Sequence, residues 1–478
     1  MHDLRRQALE SGKTVSKKAK SRQVSGSNSK SASQNVSPEG SKVTSRVASR
    51  NVSDDEDNFS DETNFSTHSI DEMITSPDDM ETQKDAWRAH LNIQIENILN
   101  RKRSSVEGRE IALAVFSRIL MLRFAQEEIS NRLGELATAI LKSATSGGSD
   151  TESILALKAL ALMLITEPSE HLYDMLADPV RKIIQDSQSM QAKVAAIHAM
   201  GVIAFYGGAS PEEIEDIMSF FFEIIESDGT SVEADDEGDV VAAALEEWGF
   251  LATQLEDLED ISPESVEAFM EQLDSGETNV QIASGENIAL LYEKSFTELE
   301  EDEDPSEAYL DSDDEETQKN GPKMVKRYNV SRQEHLLRQK LKDLSNISSK
   351  RVSKRDRRSL HSNFADILSS VQHPIRGPRY NSAMDEDGRT YGSQMTVKIG
   401  TTGVLRIRTW EQLHRLNALR RILQGGFLTH YTDNQVVFET IPIIMDQAEK
   451  GKSSKKSKPR RGGRDSDRIG YENGFSDG

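Results

Sequence analysis

The 478-residue sequence contains no cysteine, which excludes disulfides, thiol nucleophiles and cysteine-ligated zinc. No apolar run approaches the roughly 18 residues a membrane-spanning helix needs. The opening stretch, MHDLRRQALESGKTVSKKAK, lacks the apolar core of a secretory signal. A reducing compartment, cytoplasmic or nuclear, is therefore expected, with no membrane association. Phosphate-cradling glycine loops, HExxH and GxSxG are also missing. His198, His414 and His430 have no partner at metal-ligating or catalytic spacing. Neither enzymatic activity, nor a cofactor, nor a small-molecule substrate is expected.

Positive charge is scarce too, but only in the middle of the chain. Residues 51–318 hold 62 acidic against 15 basic residues, whereas residues 319–478 hold 32 basic against 16 acidic. The first 50 residues are basic as well, 11 against 3. Blocks sorted in this way point to different partners for different parts of one molecule, although a solvated acidic face with solubilising ends explains the same counts.

Residues 1–84, basic then acidic and rich in serine, cannot bury enough apolar surface to offset ordering entropy and are expected to stay disordered. Ser25, Ser49 and Ser53 follow arginines, and Ser53, Ser60 and Ser312 precede acids. These five are phosphorylation candidates, and phosphate on the basic arm would neutralise it. Lys455, Lys456, Lys458, Arg460 and Arg461, in a second disordered segment (446–478), form a nuclear-import candidate.

What is present between 85 and 297 is helical periodicity. Five apolar segments share a register on Ala114, Ala156, Ala195, Ala242 and Ala283, giving spacings of 42, 39, 47 and 41 residues. Such periods are those of armadillo or HEAT repeats, in which hairpins stack because none can bury its apolar face alone. The fold class is thus all-α, an armadillo/HEAT-like superhelix. Its acidity favours basic protein partners over nucleic acid. Pro211 after Ser210 marks the start of a partner helix, and the acidic insert 227–239 reads as an exposed loop.

An acidic linker, 298–329, leads to a basic helical segment, 330–372. There Leu360, Phe364, Ile367, Leu368 and Val371 make one apolar stripe. Lys350, Arg351, Lys354, Arg355, Arg357 and Arg358 gather at the start of that helix, where cations are unfavourable unless an anion is near. A small α+β module, 395–445, follows: a hairpin turning at 400–403, then a helix from Trp410 ended by Gly425 and Gly426. Arg406, Arg408, Arg415, Arg420 and Arg421 decorate it and outnumber its three acids, Glu411, Asp433 and Glu439. Both clusters are RNA- or phosphate-binding candidates. Trp410 fits a core position better than a base-stacking one.

These residues carry a family resemblance. SDETNFSTHSIDEM (60–73), the repeats, RQKLKDL, SKRDRRSLHSNFADIL, and a C-terminal module with KIG, Trp410, LQGGF, His430 and Asn434 resemble the interferon-related developmental regulators. The similarity spans about 50–445 and is closer to fungal than to animal members. It implies an armadillo-like domain, no catalysis and a regulatory role in gene expression. It also implies either contact with the ribosome and its rRNA or mRNA, or nuclear co-regulation through protein contacts. After about 445 the chain has a short Gly/Lys/Arg tail where animal members carry a long basic helix.

Overall fold

The structure, a computed structural model, describes residues 86–300, 302–304, 308–309, 323–346, 354–378, 395–399 and 403–441. All of these belong to one compact unit, Ser76–Gly478.

Helical hairpins make up the body. Their first helices are α1 (Ala86–Leu99), α3 (Leu133–Thr145), α5 (Tyr173–Asp186), α7 (Pro211–Glu226) and α9 (Ser262–Gln272). Their second helices are α2 (Val106–Leu122), α4 (Asp150–Thr166), α6 (Met190–Tyr206), α8 (Gly238–Ala252) and α10 (Thr278–Lys294). The second helices contain the five segments expected from the periodicity. Each packs on its own first helix and on the second helix of the next hairpin, forming a continuous inner row.

The row does not stop at 297. α11 (Glu334–Ser345) and α12 (Lys354–Gln372) pack on each other, and α12 packs on α10 as a further inner helix. Leu360, Phe364, Ile367 and Val371 of the expected stripe are buried there. Gly285 of α10 makes room, since a Cβ at that position would come within 2.7 Å of Ile367. The basic segment is thus a sixth hairpin, and its character was hidden because only its inner face is apolar.

Burial explains the two kinds of helix. α4 and α6 are apolar almost all round, and Leu157, Leu160, Leu164, Ile197, Met200 and Ile203 are fully buried. A helix of that kind must be surrounded, and each such side chain contributes about 1.5–3 kcal/mol. The first three inner helices, α2, α4 and α6, also start alike. Ser105, Ser149 and Ser189 accept hydrogen bonds from the backbone N–H of Gly108, Glu152 and Ala192, each cap contributing about 1 kcal/mol. In the outer row, Ser210 and Glu213 form a reciprocal capping box with Pro211 in the first turn.

Two buried charges lock the stack. Glu152 is fully buried and receives Arg109 at 2.7 and 2.8 Å, Arg101 at 3.1 Å and the Gly148 N–H at 2.8 Å. Burial pushes its carboxyl upward, but these donors together hold it at about 2. Lys193, also fully buried, donates to the carbonyls of Ile184, Gln185 and Val232 at 2.8, 2.9 and 2.6 Å. Val232 and Ala234 are buried, so the insert 227–239 is not simply an exposed loop. It folds back through the turn Thr230–Val232 to complete the lysine's cage. The acidic linker is likewise tied at both ends: β1 (Phe296–Glu298) pairs antiparallel with β2 (Met324–Lys326), Thr297 opposite Val325.

The expected hairpin is present as β3 (Met395–Ile399) and β4 (Gly403–Ile407), paired antiparallel with Val397 opposite Leu405. After it come α13 (Trp410–Leu423), α14 (Phe427–Asp433) and α15 (Gln435–Thr440).

Candidate functional site

Helices α13 to α15 lie across the C-terminal halves of the inner helices. α13 touches α8 and α10, α14 touches α2, and α15 touches α4. The contact begins at α13's first turn. Thr409 caps it by accepting from the Gln412 N–H at 3.1 Å. Glu293 of α10 accepts from the next two free donors, the N–H groups of Trp410 at 2.7 Å and Glu411 at 3.0 Å. A carboxylate at a helix N-terminus is favourable both as an acceptor and through the dipole. Burial nevertheless outweighs these donors and pushes the Glu293 carboxyl up to about 7. Trp410 is 2% exposed and donates its indole N–H to Ser370 of α12 at 2.8 Å, so it is a core residue.

Two arginines of α13 turn inward. Arg415 donates to the Thr253 hydroxyl and carbonyl at 3.0 and 2.8 Å and pairs with Glu411 at 2.9 Å. Arg421 reaches Glu246 and Glu247 of α8, 2.6 Å to each. Glu247 is 1% exposed and also meets His198 Nδ1 at 2.8 Å. Gly201 allows this, because a Cβ there would lie 1.9 Å from the Glu247 carboxylate. His414 packs against Gly249 in the same layer, and burial pushes its imidazole down to about 4, so it is neutral.

The rest of the segment is anchored by polar tips on an apolar surface. His430 donates from Nε2 to the Leu120 carbonyl at 2.7 Å, and Asn434 donates to the Ile165 carbonyl at 2.8 Å. Both acceptors lie in last turns of inner helices, where carbonyls lack intrahelical donors. Tyr206 hydrogen-bonds Thr440 at 3.0 Å. Gly425 and Gly426 were expected to cap α13, but the cap residue is Gln424, at φ +46°. Gly426 is required by proximity instead, since a Cβ would sit 1.6 Å from the Met121 carbonyl oxygen.

Of the predicted basic residues, Arg415 and Arg421 therefore face the acidic repeats. Arg420 is partly buried with its guanidinium over Phe427, and Arg408 is partly buried beside Gly377. Arg357 sits, half-buried, in the first turns of α12, and the backbone places Lys354, Arg355 and Arg358 there too. The side chains of Lys354, Arg355, Arg358 and Arg406, and all of Lys350 and Arg351, lie outside the described residues. So do Ser25, Ser49, Ser53, Ser60, Ser312, Lys455, Lys456, Lys458, Arg460 and Arg461.

On the opposite, N-terminal halves of the inner helices a groove of about 400 Å³ remains open. Met190, Val194 and His198 of α6, Ala242, Ala243 and Glu246 of α8, and Glu237, Asp239 and Asn279 line it. Among the described residues there is no cluster of His, Asp and Glu able to hold a metal ion, and no helix long and apolar enough to cross a membrane.

The sequence profile of the interferon-related developmental regulators matches residues 51–372, up to the last residue of α12. The chain belongs to the interferon-related developmental regulator family. An uncharacterised protein of Schizosaccharomyces pombe is 24% identical over 394 residues, covering 81% of this chain and 82% of that protein. Interferon-related developmental regulator 1 of mouse is 24% identical over 374 residues, 75% of this chain and 73% of its own length. The human protein of that name is 24% identical over 372 residues, with the same coverage. Family membership makes this chain a regulator of gene expression of that kind. The residues that join the C-terminal segment to the repeats, above all Glu293, Glu246 and Glu247, escaped the sequence reading. Their only signal was that acids and arginines of opposite blocks were numerous enough to pair.

Proposed function

We propose that the protein regulates translation without catalysing a reaction, by contacting ribosomal or messenger RNA through the basic start of α12 while its repeats hold a protein. The observation that carries this is the placement of Lys354, Arg355, Arg357 and Arg358 by the backbone in the first turns of one helix. Arg415 and Arg421 of α13, by comparison, are engaged by internal partners. Lys354, Arg355, Arg357 and Arg358 stand at the positive end of a 19-residue helix dipole. Four cations at that position repel the helix terminus and one another, and a phosphate would relieve both. Binding through several phosphates weakens steeply as salt rises.

Reversing Arg355, Arg357 and Arg358 to glutamate should release the protein from ribosomes on a sucrose gradient, with an unchanged melting temperature. Undiminished co-sedimentation contradicts the assignment. Absence of ribosome association in the unmodified protein, with nuclear accumulation dependent on Lys455–Arg461, would support nuclear co-regulation through protein contacts instead.

A further inference from the structure

We propose that the open half of the inner row is a docking groove for a basic peptide segment of a partner protein, seated with an arginine or lysine against Glu237, Asp239 and Glu246. This rests on the reading that the repeats hold a protein, and it adds the place and the chemistry. Three features converge on one strip of surface.

The first is shape. α6 and α8 separate at their N-terminal ends into a groove of about 400 Å³, and its floor is made of small side chains, with Ala242 and Ala243 nearly fully buried. Small residues let a peptide backbone or the methylene stem of a long side chain come close. The second is charge. Glu237 and Asp239 are exposed at the rim, and among the described residues neither has a cationic partner. Asp239 only accepts from the Asn279 amide at 3.2 Å. Phosphates would be repelled here, so the occupant is a protein cation and not RNA.

The third is continuity with an interface the molecule already makes. Glu246 forms the end of the groove, and the same carboxylate binds the Arg421 guanidinium at 2.6 Å. The wall that receives an arginine from α13 on one side extends on the other with more acids that have, among the described residues, no cationic partner. A basic segment laid in the groove continues the surface that α13 already occupies.

The test uses the full chain and a fluorescein-labelled peptide of alternating alanine and arginine, followed by fluorescence anisotropy. Glu237→Lys with Asp239→Lys should weaken binding at least about tenfold. This variant, changed only at exposed positions, should keep the fold and the ribosome association of the parent, so failure here is separable from failure of the RNA reading. Glu264→Lys with Glu267→Lys, the same charge change on exposed positions of outer helix α9, should leave the affinity within about twofold. An equal loss in that control would mean attraction by overall charge alone and would overturn the proposal. Neutralising Lys455, Lys456, Lys458, Arg460 and Arg461 should not alter binding. A tenfold gain would show that the chain's own segment fills the groove, which overturns a partner as occupant.

Discussion

The first turns of α12 and the inner face of α13 look interchangeable as sequence, each a run of arginines beside an apolar helical stripe. In the folded chain they differ completely. Arg421 lies between two carboxylates of α8, one of them 1% exposed, and Arg415 donates to the hydroxyl and carbonyl oxygens of Thr253. At the start of α12 the backbone instead gathers four basic residues in the first turns of a helix, and the one whose side chain is described, Arg357, is half-buried. Net charge per segment records how many cations there are and says nothing of whether the fold itself neutralises them. An acidic body next to a basic segment is as much a signature of internal docking as of two external partners.

Breaking the comparison at its strongest point gives the largest effect. Arg421→Ala leaves Glu247 buried beside Glu246 without its cation, which should cost about 3–5 kcal/mol. Urea unfolding should register that loss, and hydrogen exchange should show faster exchange across 410–440 first. Glu152→Ala should destabilise by a similar amount, because Arg101 and Arg109 lose their shared acceptor. The hydrogen-exchange change should then fall in α2 and α4 and not in α13. Gly426→Ala should cost about 1–3 kcal/mol, as the Met121 carbonyl must move for the new methyl.

Smaller effects come from the two titrating groups at the docking surface. The Glu293 carboxyl is raised to about 7, so the stability it contributes is full below its ordinary 4.5 and is lost as pH rises through about 7. Glu293→Gln cannot ionise. The variant should therefore gain on the parent in melting temperature as pH rises from about 4.5 to about 7, with the difference levelling off above that. His414 moves the other way. Its value is depressed from 6.5 to about 4, so the stability from its neutral form is present above 6.5 and lost as pH falls toward 4. His414→Gln should flatten that acid limb of the stability profile.

Much of the body was legible before folding. Ala114, Ala156, Ala195, Ala242 and Ala283 mark the five inner helices, because a helix flanked by its hairpin partner and by neighbouring inner helices favours small apolar residues at the same register in every repeat. The hairpin around 400–403 and the buried Trp410 were legible for similar local reasons. The sixth hairpin was not, since α11 and α12 carry one apolar face and a basic one, which is the pattern of an independent surface helix. The cage around Lys193 was hidden as well. Its acceptors are backbone carbonyls of residues 184, 185 and 232, and backbone carbonyls leave no trace in side-chain composition. The docking site depends on pairs such as Arg421 with Glu247 and Trp410 with Glu293, more than a hundred residues apart. Only tertiary structure brings such pairs together.

Arg421 of the C-terminal segment is held by two carboxylates of the repeats. A double-mutant cycle measures this directly, using the unfolding free energies of Arg421→Ala, Glu247→Ala and the double variant. A coupling energy of about 1–3 kcal/mol is expected between the two positions. Strict additivity, with the double variant losing the sum of the single losses, would show that this arginine is not held by the repeat domain.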